Sequence, residues 1–338
     1  MKIWISLMLF SLVSTASIAN QEHPLPKLHQ AVISGQLSEV KALVESGADI
    51  NQLDGKMGNS PAHIAAQTDH TDILKYLLDN GAFINLQAPR SGHSPLMVAA
   101  WYSKSDNIKL LFQYSELNIE LKTPSGAKAE DMVGGWDRNV EPHEAKLYQS
   151  LKQLFTQKRA EQTAQLESQK ILNTVESTQL SEQEKVKQIS ALLKQGQDVN
   201  QRRPVYSTGN DWHTPLLISA RNGYGQIVKL LLDNGADQTI TGYPMDAIAF
   251  HKAAYMGHPD IVELLVKDKR AAQVLNAQGP NNGYTPLHDA IWHGNTEAAK
   301  AFIEAGALQD LTTYENDTPL ELAERYQYQD IVELLKKK

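Results

Sequence analysis

Residues 284–306 read YTPLHDAIWHGNTEAAKAFIEAG, and each part of that stretch has a mechanical reading. Thr285 stands where a helix N-cap hydroxyl can accept from free backbone N–H groups. Pro286 follows at the first helical position, where its missing N–H costs nothing. Ala290 keeps the first helix slim, Gly294 breaks it, and Gly306 closes a second helix. The same Ser-Pro or Thr-Pro opening recurs at Pro61, Pro95, Pro215 and Pro319, with intervals such as 95 − 61 = 34 and 319 − 286 = 33. The closing glycine keeps phase too: Ser60 to Gly81, Thr214 to Gly235 and Thr285 to Gly306 each span 21 residues, while Ser94 leads to Ser115. A fixed period of this size means stacked supersecondary units, none able to bury its apolar face alone.

The units share further features. Small pairs such as Ala65-Ala66, Ala99-Ala100 and Ala253-Ala254 let first helices lie close together. Second helices carry aliphatic stripes at i, i+3, i+4 spacing, as in Ile73, Leu74, Leu77, Leu78 and in Ile227, Val228, Leu230, Leu231, Leu232. Thr285-Pro286-Leu287-His288 matches the hallmark tetrapeptide of the ankyrin-repeat family, and Ser60-Pro61-Ala62-His63 and Ala249-Phe250-His251 resemble worn copies. Asp79-Asn80-Gly81-Ala82 and Asp233-Asn234-Gly235-Ala236-Asp237 resemble that family's helix-ending turn. The resemblance implies an all-α solenoid of paired antiparallel helices joined by extended loops or β-hairpin fingers. It also implies that His63, His251 and His288 hydrogen-bond between neighbouring repeats. About nine full or degenerate units are expected, beginning near Lys27, Asn59, His93, Ser125, Gln169, His213, Asp246, Tyr284 and Asp317.

The expected organisation is a signal peptide over 1–19, N-terminal repeats over 20–142, degenerate repeats with long polar helices over 143–200, and C-terminal repeats over 201–338. The middle segment reads as an insertion within one continuous stack, with a helical linker between two shorter solenoids as the alternative. Lys2, the apolar run from Ile3 to Val13 and the small residues Ser17 and Ala19 form the leader pattern, with cleavage after Ala19. That run is short for a membrane span, so no stable membrane insertion is expected after cleavage. With 338 residues and no cysteine, an exported chain must hold itself together by packing and hydrogen bonds. A leader on a cysteine-free globular repeat fits a bacterial periplasm.

The net charge of −7 argues against a nucleic-acid partner and leans toward a basic protein one. No Gly-x-Ser-x-Gly elbow, cysteine nucleophile or phosphate loop occurs. His288, Asp289 and His293 form the nearest approach to a cluster, but zinc needs three or four convergent ligands. No cofactor, metal or catalytic residue is therefore assigned. A hydrolase built on His288 ranks below binding.

In ankyrin-like stacks the concave surface is built from fingers and the open side of first helices. Six residues on from each helix opening come Gln67, Trp101, Arg221, Tyr255 and Trp292, and Tyr102 adjoins Trp101. The fingers add Tyr206, Trp212, Tyr243, Tyr284 and Tyr314. Tyr, Trp and Arg dominate interface hot spots, so these residues, Gln67 aside, are the candidate partner contacts. The expected function is a periplasmic protein-interaction scaffold or helper working through its concave face. The alternative is an immunity protein that sequesters a secreted toxin or enzyme.

Overall fold

A computed structural model of the chain describes residues 24–135, 140–206, 210–243 and 245–337. The expected leader lies outside the described residues. The N-terminal hairpins are α1 (Lys27–Ile33) with α2 (Leu37–Glu45), α3 (Pro61–Gln67) with α4 (Thr71–Asp79), and α5 (Pro95–Trp101) with α6 (Ser105–Leu111). A 3₁₀ turn (Ala129–Met132) and the 27-residue α7 (Pro142–Ser168) follow. Next come α8 (Lys170–Glu176) with α9 (Glu182–Lys194), α10 (Pro215–Asn222) with α11 (Gly225–Asp233), and α12 (Ala249–Met256) with α13 (Pro259–Val266). The short α14 (Ala271–Val274) precedes α15 (Pro286–Trp292) with α16 (Thr296–Glu304), and α17 (Pro319–Arg325) with α18 (Gln329–Lys336). First helices pack on first helices and second on second, as α10, α12, α15 and α17 do in turn.

The helices begin where the hydroxyl-proline pairs place them. Thr214 accepts the Leu217 N–H at 3.2 Å and Thr318 the Glu321 N–H at 3.3 Å, which satisfies donors left free at a helix start. The stripe Ile73, Leu74, Leu77 and Leu78 is buried throughout. Gly47, Gly81, Gly235 and Gly306 leave their helices with φ between 84° and 97°. The fingers are loops rather than β-hairpins: among the described residues the only bridge pair is Gly242 with Ala247. The fingers close on backbone bonds, as in Ala88 to His93 (2.8 Å) and Gly279 to Tyr284 (2.8 Å).

Gly92 sits at such a closure with φ 70°, and a Cβ there would lie 2.2 Å from Cδ of Pro124 in the next finger. Gly92→Ala combines left-handed strain with a collision against a rigid ring. It should cost about 2 kcal/mol, read as a lower urea midpoint at unchanged slope. A midpoint within error of the parent would mean the finger stacking is looser than drawn.

The histidines bind neighbours together as the resemblance implied. His63 Nε2 meets the His93 carbonyl at 2.9 Å, His251 the Tyr284 carbonyl at 3.2 Å, and His288 the Asp317 carbonyl at 3.3 Å. In each, Nδ1 accepts the N–H of the residue three back: Ser60 (3.1 Å), Ile248 (3.4 Å) and Thr285 (3.3 Å). Asn107 adds a further tie. Its buried amide donates to the carbonyls of Ala65, Ala66 and Thr68 at 3.2, 3.0 and 2.8 Å.

The apolar core of the described residues falls into two clusters. One buried cluster runs from Leu28 to Phe155 and a separate one from Ile171 to Leu335. The division falls in α7, where Leu151, Phe155 and Gln162 alone are buried. Such a helix has too narrow an apolar stripe to carry a core through. Its first part docks on the N-terminal stack: Phe155 meets Phe112 edge-on at 5.2 Å, and Arg159 pairs with Glu120 (3.0 Å) and Glu130 (2.9 Å). The joint beyond it is polar. Arg203 bonds Glu176, Asn173 (2.8 Å) and Gln169 (3.2 Å), and Gln169 reaches the Arg202 carbonyl.

Candidate partner-binding face

The residue seven past each N-cap lies on the open side of a first helix, and stacking sets these positions in a row. Tyr255 on α12 is 49% exposed and Trp292 on α15 is 41% exposed. Their rings meet at 6.4 Å, close to perpendicular at 72°, the favoured edge-to-face geometry. Tyr284, from the finger before α15, closes on Trp292 at 5.8 Å and 87°. His293 fills the angle, with ring centres 3.9 Å from Tyr255 and 4.5 Å from Trp292. The backbone beneath is fixed, because the Asn295 amide donates to the carbonyls of Ala254 (2.8 Å) and Tyr255 (3.1 Å). Met256, Tyr314 and Tyr326 extend the exposed apolar surface. Tyr314 is tied down by its N–H to the Asn282 carbonyl at 2.9 Å.

The other sequence-derived candidates lie elsewhere. Arg221 is half-buried on α10, where it donates to Asn210 Oδ1 at 2.5 Å, and His258 Nε2 holds its carbonyl at 3.1 Å. Trp212 lies under the Arg202 guanidinium at 4.4 Å, and Arg202 also donates to the Thr241 carbonyl at 2.6 Å. Burial pushes the phenols of Tyr206 and Tyr243 up, with added negative field from Glu120 and Asp211 respectively. Thr163 of α7 lies beside Tyr206, and Asn85 of the N-terminal stack beside Tyr243. Tyr206 and Tyr243 therefore turn part of their surface toward the other half of the chain. Trp101 and Tyr102 line a cleft of about 420 Å³ with Gly134, Leu147 and Tyr148. Trp101 packs on His93 at 5.9 Å. Of the ten residues, Tyr255, Tyr284 and Trp292 form one cluster.

The sequence reading gave neither Lys252 nor Asp289 a place on this face, and singled out Asp289 only beside His288 and His293. Lys252 and Asp289 stand four past their N-caps, where Ile64, Val98, Ile218 and Leu322 serve in sibling units. The departure from an aliphatic template was the available signal. Burial pushes Lys252 down to about 8, with Arg221 adding to the shift and Asp289 opposing it. Burial also pushes Asp289 up to about 7, against the field of Lys252. Displaced ionisations of this kind are one mark of a functional surface. His288 offers no free base, since Thr285 and Asp317 occupy both ring nitrogens. Among the described residues no group of three or more His, Asp or Glu could hold a metal ion. No described helix is long and apolar enough to cross a membrane.

Stacked helical hairpins with a preformed open face define a helical-repeat scaffold. The family model for ankyrin repeats matches the chain three times, over residues 28–123, 179–276 and 250–338. The chain belongs to the ankyrin-repeat family, whose repeats bind other proteins. It is 49% identical over 96 residues to human protein phosphatase 1 regulatory subunit 27, covering 28% of this chain and 59% of that protein. It is 33% identical over 124 residues to tyrosine-protein kinase HTK16 of Hydra vulgaris, covering 36% and 16%. Over 149 residues it is 29% identical to putative ankyrin repeat protein FPV031 of fowlpox virus, covering 43% and 41%. The chain spans less than two thirds of each of these relatives.

Proposed function

We propose that the chain is an exported, periplasmic scaffold that engages a protein partner through the open face of its C-terminal stack, with Tyr255, Tyr284 and Trp292 as the central anchors. The observation that carries this is the exposed aromatic cluster built across two neighbouring first helices and one finger. Large rings held in place lose little freedom on contact, so their burial converts efficiently into affinity. Arg221, Tyr314 and, at the joint between the stacks, Tyr206, Trp212 and Tyr243 form the outer contacts; Trp101 and Tyr102 form a lesser site.

Capture from a periplasmic extract tests the face. The Tyr255→Ala/Trp292→Ala double variant, with its helical circular dichroism intact, should lose about 100-fold in affinity for whatever the parent retains. Equal retention by the double variant defeats the assignment. The compartment is tested separately, by the mass of the protein recovered from each cell fraction. A periplasmic species beginning at Asn20 is expected; a full-length cytosolic one overturns export. An immunity role would appear as a single partner whose own activity is blocked on binding.

A further inference from the structure

α7 ends at Ser168 and α8 begins at Lys170, and between them Gln169 takes ψ 61°, outside the helical range. The chain changes direction at that one residue. On one side lies a helix docked on the N-terminal stack through Phe155 and Arg159. On the other lies a helix whose Ile171, Leu172 and Val175 belong to the C-terminal core. What straps the break is polar: the Asn173 amide donates back to the Leu166 carbonyl at 3.0 Å, and Gln165 and Gln169 reach the Arg202 carbonyl. The two apolar clusters share no buried residue, so no common core resists a change of angle here. A hinge needs only a few residues at the ends of elements to absorb the turn.

Beyond the break the two stacks meet along one edge. Tyr243 lies beside Asn85, and Tyr206 sits in the field of Glu120. Arg202 feels Glu116 across the joint and Asp246 on its own side, with an ion pair to neither. Attraction between partly exposed charges is weak and is screened by salt, so this edge can part without breaking a core. We propose that the two stacks swing about Gln169 as rigid bodies, and that the form described is the closed one, in which the N-terminal stack covers part of Tyr206 and Tyr243. The hinge stands on the packing alone. That a partner takes those two rings when it opens rests on the binding role proposed above.

The chain has no cysteine, so a pair of introduced ones carries spin labels at chosen sites only. Lys75→Cys with Lys229→Cys, both exposed, spans the two stacks, and Lys229→Cys with Lys300→Cys lies within one. Pulsed electron resonance should give a narrow distance for the second pair and a broad or double-peaked one for the first. Glu116→Arg, which sets like charge against Arg202, should shift the first distance and leave the second where it was. Raising salt from about 20 mM to about 500 mM should shift it the same way. A cross-stack distance as narrow as the reference and unmoved by either change overturns the hinge. If Glu116→Arg fails to fold, the salt comparison on the parent chain decides. Nitration by tetranitromethane, mapped by mass spectrometry, tests the covering. Tyr206 and Tyr243 should react at least threefold faster in Glu116→Arg, with the exposed Tyr314 unchanged. Equal rates beside a shifted distance leave the hinge standing and overturn its control of the two rings. Capture indifferent to Tyr255 and Trp292 would instead remove the binding face and leave every distance as it was.

Discussion

Phe250→Ala should split unfolding into two transitions, with the C-terminal stack melting first and the N-terminal stack left where it was. Phe250 is fully buried in α12, and its ring meets Phe302 of α16 at 5.7 Å and 60°. Removing it opens a void between two helices that are each held by neighbours on both sides, so collapse is poor. Truncations of this kind cost about 3–5 kcal/mol. In a stack each unit is stabilised by adjacent units, and the Phe250 cluster shares no buried residue with the cluster that ends at Phe155. The polar joint around Arg203 transmits little of the loss. Urea unfolding followed by circular dichroism, with Trp101 and Trp292 as local reporters, separates the two halves. A single transition displaced as a whole would mean that the halves fold as one unit and that the joint couples them.

Much of this architecture was open to reading because its determinants are local. A cap needs a hydroxyl followed by proline, and the pairs at Thr214, Thr285 and Thr318 open helices where the pattern said. The buried stripe of α4 follows from spacing alone. The break in the core was harder to see. Over α7 the chain is helical through and through, but whether Phe155 joins one core or bridges two depends on contacts with Phe112, remote in sequence. The same limit hid the partial burial of Tyr206 and Tyr243, whose neighbours Glu120 and Asn85 belong to the other stack. The grouping of Tyr255, Tyr284 and Trp292 was foreshadowed by the shared repeat position of two of them. Their edge-to-face contact needed the true pitch of the stack.

Acid should unfold the protein well above the pH at which its carboxylates titrate in the unfolded chain. His63, His213, His251 and His288 are buried, and burial pushes each down from 6.5 to about 4. For three of them the geometry gives the reason: Nε2 donates to a neighbouring carbonyl and Nδ1 accepts a backbone N–H, so an added proton has no lone pair to take without breaking a cap. The folded state thus binds fewer protons than the unfolded one between pH 6.5 and about 4. Stability is complete above 6.5, falls through that window, and levels off below it. Each histidine accounts for on the order of 2–3 kcal/mol of the fall. Asp289 works the other way. Raised to about 7 from 3.8, it keeps its proton in the fold after the unfolded chain has lost it, so its contribution weakens as pH rises from about 4 to 7. One carboxyl offsets only part of four imidazoles, and the net slope stays acid-labile. Three of the four histidines lie in the C-terminal stack, so that half should melt first as pH falls, in the order Phe250→Ala produces at neutral pH. Melting temperatures recorded from pH 7.5 to 4.5 check the argument. A curve flat across that range would show that these rings are not held neutral. A His288→Gln variant, still able to donate to Asp317, should be less stable at pH 7.5 but flatter in its response to acid.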